Sequence, residues 1–419
     1  MFIRKLFRFR AGICDNYGKS LAENFMNRLA FLFLKIVSKP PTIARLFLCA
    51  VLLAQPIAAI AFETDQYNLP PQPLGDIGDE LSEYVEQNIK KAVDKIIAEI
   101  IRRQTCLENL AVERKSPNCG SAEKERARLA FLRSEEAILR EIYNPLGGGI
   151  FPFTRSATWV ETHHFRATPA LYKTGYLKSV YFTVPTNYLT ISPTVKVYGA
   201  QFGTDKIAHF FQQGYAYYKI SERAASKGFK PDEAARKAIL WGQKTERTYY
   251  GTMVSGVYSN ADLAANYVGM LFYQGLTREL KIKDETRAPV LLLNNGIWIF
   301  NSSFNSSELL IKPFFTDHLN EALNPSIISN LIGLRTYVRR AVKKQSCKQW
   351  LAQNPDLTQS KLNELTLKLM RWNGEDYGFT ASKNFITIAN TCFGAGLRIE
   401  SSPASYSETF SIRWEATDF

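Results

Sequence analysis

The sequence predicts a mainly α fold, a helical hairpin plus a central buried helical core, with small β-hairpin and strand elements. Three observations carry this expectation. From Asp79 onward, Leu81, Tyr84, Val85, Ile89, Ala92, Val93, Ile96, Ile97 and Ile100 recur at three- and four-residue spacing, with charged residues on the other face. Between residues 204 and 280 the pattern gives three helices, the last apolar on nearly every side, as in a buried helix. From Val290 to Phe300, Asn295-Gly296 stands between two apolar runs, the strongest short signal for a β-hairpin.

Taken in order, residues 1–61 read as a targeting segment. Arg28, Lys35, Lys39 and Arg45 precede an apolar run from Leu46 to Ala54; Gln55-Pro56 breaks it, and Ala59-Ile60-Ala61 supplies a small-x-small cleavage pattern. Residues 1–25 are unusual for a signal, which a start at Met26 explains. The alternative is an uncleaved anchor over Leu32 to Ala61, interrupted by Pro40-Pro41. Cys49 lacks the setting of a lipoprotein cleavage site, so no lipid anchor is expected.

Residues 62–76, with Pro70, Pro71 and Pro73, form an extended lead-in, because prolines remove the backbone donors that a helix needs. Residues 77–146 form the hairpin: a first helix from Asp79, a break over Lys115 to Gly120, and a second helix over Ser121 to Tyr143. Asn144-Pro145 and Gly147-Gly148-Gly149 end it. Residues 147–419 form the main body. In it, 150–203 read as short strands and loops, 313–375 as helix, and Phe379 to Phe419 alternates like strand. No internal repeat or low-complexity tract is present.

The formal charge of the 419-residue chain is +13. Residues 1–61 hold nine basic and two acidic residues, so the remainder carries 43 basic and 37 acidic, a net of +6. A modest, spread excess excludes nucleic acid as the expected partner and is compatible with resting near a membrane surface of anionic lipid. Removing the targeting segment leaves Cys106, Cys119, Cys347 and Cys392. An even number in an exported chain implies two disulfides, and proximity favours Cys106–Cys119 and Cys347–Cys392 among three pairings. No C-x-x-C spacing or nearby histidine supports zinc in their place.

The candidate catalytic residues are Asp205, His209, Glu246, Asp262 and Asn266. Asp205 and His209 are four apart and share a helix face, with Gln212 and Ala216 following on the stripe. A second helix opens near Pro231, and its small, apolar stripe of Ala235, Ile239 and Gly242 ends in Glu246. On the third, Asp262, Asn266, Gly269 and Tyr273 share one face. Buried polar groups cost free energy unless partnered, ionised carboxylates most of all, so the five are expected to converge. Such a cluster shifts pKa values and suits a general base or a metal ion. Each residue also has a purely structural explanation. Asp205 lies in a first helical turn behind Thr204, where the dipole favours an acid. Ser259-x-x-Asp262 fits a capping box. A lone histidine is commonly a hydrogen-bonded core residue, and Gly269 allows close helix packing. A fourth polar patch, Asp317 to Pro325, reads as a solvated helix with Asp317, Glu321 and Asn324 on one face; alternatively it faces the cluster and adds His318. His163-His164 looks like a metal pair, but neighbours on a strand point to opposite faces.

The order D-K-x-x-H-F, a Glu-bearing helix, then S-x-x-D-x-x-x-N-x-x-G resembles the VanZ-like proteins and the related YfiM-like periplasmic proteins. Asp205, Lys206, His209 and Phe210 match the first motif, Glu246 the second, and Ser259, Asp262, Asn266 and Gly269 the third. The resemblance covers about residues 204–276. It implies an envelope setting and brings no reaction. The chain departs from the VanZ pattern in Gln212, Gln213, Lys219, Glu233, Arg236 and Lys237, which are too polar for lipid-facing spans, and in Thr248 and Tyr249 where a Gln often follows the Glu.

No Walker loop, G-x-S-x-G, H-E-x-x-H or dinucleotide fingerprint is present. Three readings stay open, and none names a cofactor. The first is an exported envelope protein binding a lipid, glycan or protein partner. The second is a metal-assisted or general acid/base hydrolase on the cluster. The third is a structural subunit of an envelope complex.

Overall fold

The computed structural model describes residues 63–393, apart from 113–117, 152, 182–190, 249, 253–254, 284, 305–309, 331–332 and 379–383. Residues 1–61, expected as a targeting segment, and most of the tail expected as strand therefore lie outside the described residues; the described part of that tail holds a short strand and a short helix, Ile388–Cys392. The fold is mainly α with small strand pairs.

The lead-in runs without helix and is held by single bridges, Glu63 to Ile191 and Asp76 to Lys196. Helix α1, Gly78–Ala111, then buries the stripe expected of it, including Leu81, Val85, Ile89, Val93, Ile96 and Ile100. The return arm is two helices rather than one: α2, Ala122–Leu132, and α3, Glu135–Gly147. Ser134 breaks them, its hydroxyl accepting from the Ala137 N–H at 3.3 Å, a local bond that competes with continued helix. The Cys106–Cys119 disulfide is formed at the hairpin tip.

After the short pair β1, Gly149–Ile150, and β2, Phe153–Thr154, comes an unanticipated helix, α4, Arg155–Thr162. Its Thr, Trp and Val are weak helix formers, so propensity hides it; the Thr154 cap and the burial of Ala157 and Val160 decide it. His163-His164 thus follow a helix, not a strand; His163 stacks on Trp159 and lies 3.6 Å from Glu80.

Strands β3, Leu171–Tyr172, β4, Thr194–Val197, and β5, Ala200–Gly203, form one antiparallel sheet. The β4–β5 turn, Tyr198-Gly199, has positive φ at both residues, and Asp76 accepts from both N–H groups. Strand β5 leads directly into α5, Thr204–Ala208, which continues through a π-helical turn, His209–Gln213, into α6, Gly214–Ser226. Helix α7 spans Pro231–Glu246; strand β6, Val257–Tyr258, then delivers the chain to α8, Asn260–Thr277. A Cβ on Gly269 would lie 2.1 Å from the Phe210 carbonyl oxygen, and one on Gly214 would lie 2.6 Å from Gly269. Only glycine lets α8 cross this close to the π turn and α6.

Strands β7, Leu280–Ile282, and β8, Glu285–Arg287, pair with each other, as do β9, Leu291–Asn294, and β10, Ile297–Phe300, through Asn295-Gly296 at positive φ. The region 313–375 is not uniformly helical. Asp317–Leu319 is one 3-10 turn, and the patch to Asn324 is irregular, not a helix with Asp317, Glu321 and Asn324 on one face. Its asparagines bind their own backbone: Asn320 accepts from Ala322 and Leu323, and Asn324 donates to His318. Strand β11, Ser326–Ile328, pairs with β6 and later with β12, Phe385–Ile386. Helix α9, Leu334–Ala341, passes through a π turn, Val342–Ser346, into α10, Cys347–Gln353; α11 spans Gln359–Leu369 and α12 Ile388–Cys392. The Cys347–Cys392 disulfide ties α10 to α12. The main core packs α1 to α8 together, and a smaller one gathers Tyr67, Tyr181, Val338, Trp350 and Ile386.

Candidate functional site

The site centres on Lys206, a residue with no solvent exposure. Its ammonium lies 2.6 Å from Asp205 Oδ2, 2.6 Å from Asp262 Oδ1 and 2.5 Å from Glu321 Oε1. Asp205 and Glu321 accept hydrogen bonds from it, and Asp262 is held as an ion pair. The opening turn of α5 therefore places acid and base side by side, and α8 and the 318–324 turns bring the other two carboxylates.

All five residues expected from the sequence are buried here, at 4% exposure or less. Asp205 accepts from the Thr64 hydroxyl at 2.7 Å, so the lead-in is locked to α5. His209 Nε2 lies 3.2 Å from Asp262 Oδ2, and Nδ1 lies 3.0 Å from Asn266 Oδ1. Both ring nitrogens thus have a polar partner, one a carboxylate and one an amide, which fix the ring in place. Phe151 covers the ring edge-on and touches Tyr250 in turn. Glu246 sits one bond further out, accepting from the Ser259 N–H at 3.0 Å.

The capping box at Ser259 is only half formed. The Ser259 hydroxyl accepts from the Asp262 N–H at 3.1 Å, but the Asp262 carboxylate turns inward. Glu246, from another helix, takes the Ser259 N–H that a box acid would have filled. The Lys206 ammonium and the His209 ring together outweigh one neutral hydrogen bond.

Three participants lie outside the five candidates. Lys206 stood in the motif without a role. Of the two readings of the 317–325 patch, solvated helix or a face towards the cluster, Glu321 follows the second: it receives Lys206, the Ser259 hydroxyl at 3.2 Å and the Tyr181 hydroxyl at 3.4 Å. The signal available was its place in a dense polar patch. His318 does not join: it contacts Thr316 and the Arg371 carbonyl and packs on Trp372. Glu63 gave no signal. It is 1% exposed, and neither carboxyl oxygen is hydrogen-bonded, because the neighbouring Ser255 hydroxyl donates to the Gly251 carbonyl.

Five carboxyls thus surround one lysine and one histidine, more negative charge than the cations balance. Burial and the neighbouring Glu321 and Asp262 carboxylates push Glu63 well up. Burial and Asp262 do the same for Glu246. Burial also raises Glu321, against the pull of Lys206, to about 7. Burial would raise Asp262 too, but His209 and Lys206 overcome it and hold the carboxyl below its ordinary range. Burial lowers Lys206, and the surrounding Asp205, Asp262 and Glu321 reverse this, keeping it charged. Each of these upward shifts favours the protonated glutamate and so lessens the negative charge.

Oxygens of Asp205, Asp262 and Glu321 converge as a three-carboxylate cation cage would, and the Lys206 ammonium sits among them. The arrangement can hold a cation, store protons and lock α5, α7, α8, the lead-in and the 318–324 turns together. None of its members lines either described groove. Among the described residues, no helix is long and apolar enough to cross a membrane. No family model, curated protein or solved structure matches this chain.

Proposed function

We propose that this chain is an exported protein of the cell envelope that works by binding a partner at its surface, with the buried charge network holding its helical body in one conformation. The observation that carries this reading is closure. Lys206, Asp205, His209, Glu246, Asp262 and Glu321 are each 3% exposed or less, so the cluster offers no open face to a substrate in this conformation. Two disulfides favour an oxidising compartment, and the motif likeness to VanZ-like and YfiM-like proteins favours the envelope.

Complementation of a deletion strain tests it. His209→Gln removes the ring but retains hydrogen bonding, and a variant that accumulates to normal levels should complement fully. Loss of complementation by a stably folded His209→Gln protein would overturn the binding reading in favour of chemistry at the cluster. A second reading, metal-assisted hydrolysis on Asp205, His209, Glu246 and Asp262, draws on the three converging carboxylates. It requires Lys206 to yield its place to the ion, so EDTA should abolish complementing activity in extracts. Under the favoured reading EDTA changes nothing.

A further inference from the structure

A groove of about 1080 Å³ opens where the lead-in, the 172–178 segment and α10 meet. Its wall includes Tyr172, Lys173, Thr174, Leu177, Lys178 and Gln349. Three independent features mark it. Thr174, in the groove wall, is 4% exposed, and its buried hydroxyl has no hydrogen-bond partner. The stretch Leu334 to Gln353 carries Arg335, Arg339, Arg340, Lys343, Lys344 and Lys348 and no acid. Its π turn, the kind of helix defect that concentrates at functional sites, delivers Gln345 to the groove.

None of these six cations, nor Lys173 or Lys178, forms an ion pair with an acid among the described residues, although Arg335 and Arg339 donate to the Ile328 and Phe385 carbonyls. Asp65, behind the wall, already accepts from Asn68 and the Val180 N–H. Solvated charge runs are common on helices, but here Lys173 and Lys178 line a concavity whose wall contains an unsatisfied hydroxyl, and the basic 334–353 stretch adjoins it through Gln345 and Gln349. Leu177, between the two groove lysines, is 77% exposed. An exposed leucine flanked by cations suits an interface with apolar material beneath anionic headgroups.

We infer that this groove and the α9–α10 face receive the phosphate-bearing headgroups of anionic lipids at a membrane surface. The inference rests on the surface-binding reading above and names its partner. Lys173 and Lys178 meet the phosphates, the basic α9–α10 stretch adds long-range attraction, and Leu177 enters the acyl boundary. Inorganic phosphate shares the headgroup chemistry but lacks the surface that Leu177 needs.

Co-sedimentation of the full, processed, oxidised protein tests this. The probes are vesicles of phosphatidylglycerol and phosphatidylcholine, vesicles of phosphatidylcholine alone, and inorganic phosphate. Binding should require phosphatidylglycerol and weaken with added salt. Lys173→Ala and Lys178→Ala should each weaken it about five-fold, since one basic residue near such a surface contributes about that factor. Leu177→Ser should weaken it while leaving its salt dependence unchanged. Lys90→Ala, on α1, is the control and should have no effect. Equal binding to neutral vesicles, or groove variants that bind like the unaltered protein, would overturn the inference. Phosphate binding lost in Lys173→Ala, with no vesicle binding, would overturn the lipid source. If vesicles fail while extracted envelope glycans or proteins are still captured, this inference falls and the surface-binding reading stands. If His209→Gln abolishes function in a folded protein, the reading itself falls, whatever the vesicles show.

Discussion

Lys206 shows how one residue can organise a core. Its aliphatic stem fits a buried turn, and its ammonium gathers carboxylates from three separate parts of the chain. Replacing it by methionine keeps volume but strands three buried acids, so Lys206→Met should cost about 3–5 kcal/mol in chemical denaturation. Adding Asp262→Asn and Glu321→Gln to that variant should recover part of the loss, because the network members are coupled. An unchanged midpoint in Lys206→Met would show that the network does not hold the fold. Protonation supplies a second test. Glu321 ionises at about 7 when folded against an ordinary 4.5, so folding takes up a proton between those values. Stability from this group is therefore full below about pH 4.5 and falls as pH rises towards 7. Thermal melts should show that decline, and Glu321→Gln should flatten it. An identical pH profile in the two proteins would refute the assignment. At this scale the helical spacing of Asp205 with His209 and of Asp262 with Asn266 was legible, because both pairs are local. Glu321 was legible only as part of a polar patch with two possible environments, and Glu63 not at all, since no local pattern links either to residue 206.

Among the elements, those with a strong periodic stripe or a turn dipeptide could be read in advance. Helices α1 and α8 and the β9–β10 hairpin are of this kind. The break at Ser134, helix α4 and the irregular 317–324 segment could not, because there side-chain bonds to the local backbone and burial outweigh propensity. The Tyr198-Gly199 turn also lacked the usual Asn-Gly signal and is held instead by Asp76 from outside the hairpin. The disulfides differ in reach. Cys347–Cys392 closes 45 residues and Cys106–Cys119 closes 13. Loop entropy then assigns about 4 kcal/mol to the first and about 3 to the second. Replacing Cys347 and Cys392 by alanine should lower global stability by roughly that larger amount, measured by denaturant midpoint. Replacing Cys106 and Cys119 should mainly raise hydrogen exchange at the hairpin tip. If both pairs gave the same local effect, α9 to α12 would not be part of the cooperative body.

For the whole molecule, the expected cleavage predicts a mature chain starting at Phe62, which N-terminal sequencing of the exported protein checks. A product still carrying Leu46 to Ala61 would mean an anchor instead. The sequence by itself determined the helical class, the hairpin, and the five polar residues on apolar helix faces. It also favoured the two disulfides now seen over the other pairings. These follow from spacing along the chain, which periodicity and separation express directly. Only the tertiary structure decided that Lys206 is the hub, that Glu321 and the orphaned Glu63 join it, and that the cluster is sealed while a cationic groove stays open. Those facts depend on which distant segments meet, and charge balance in a buried site is a sum over all of them.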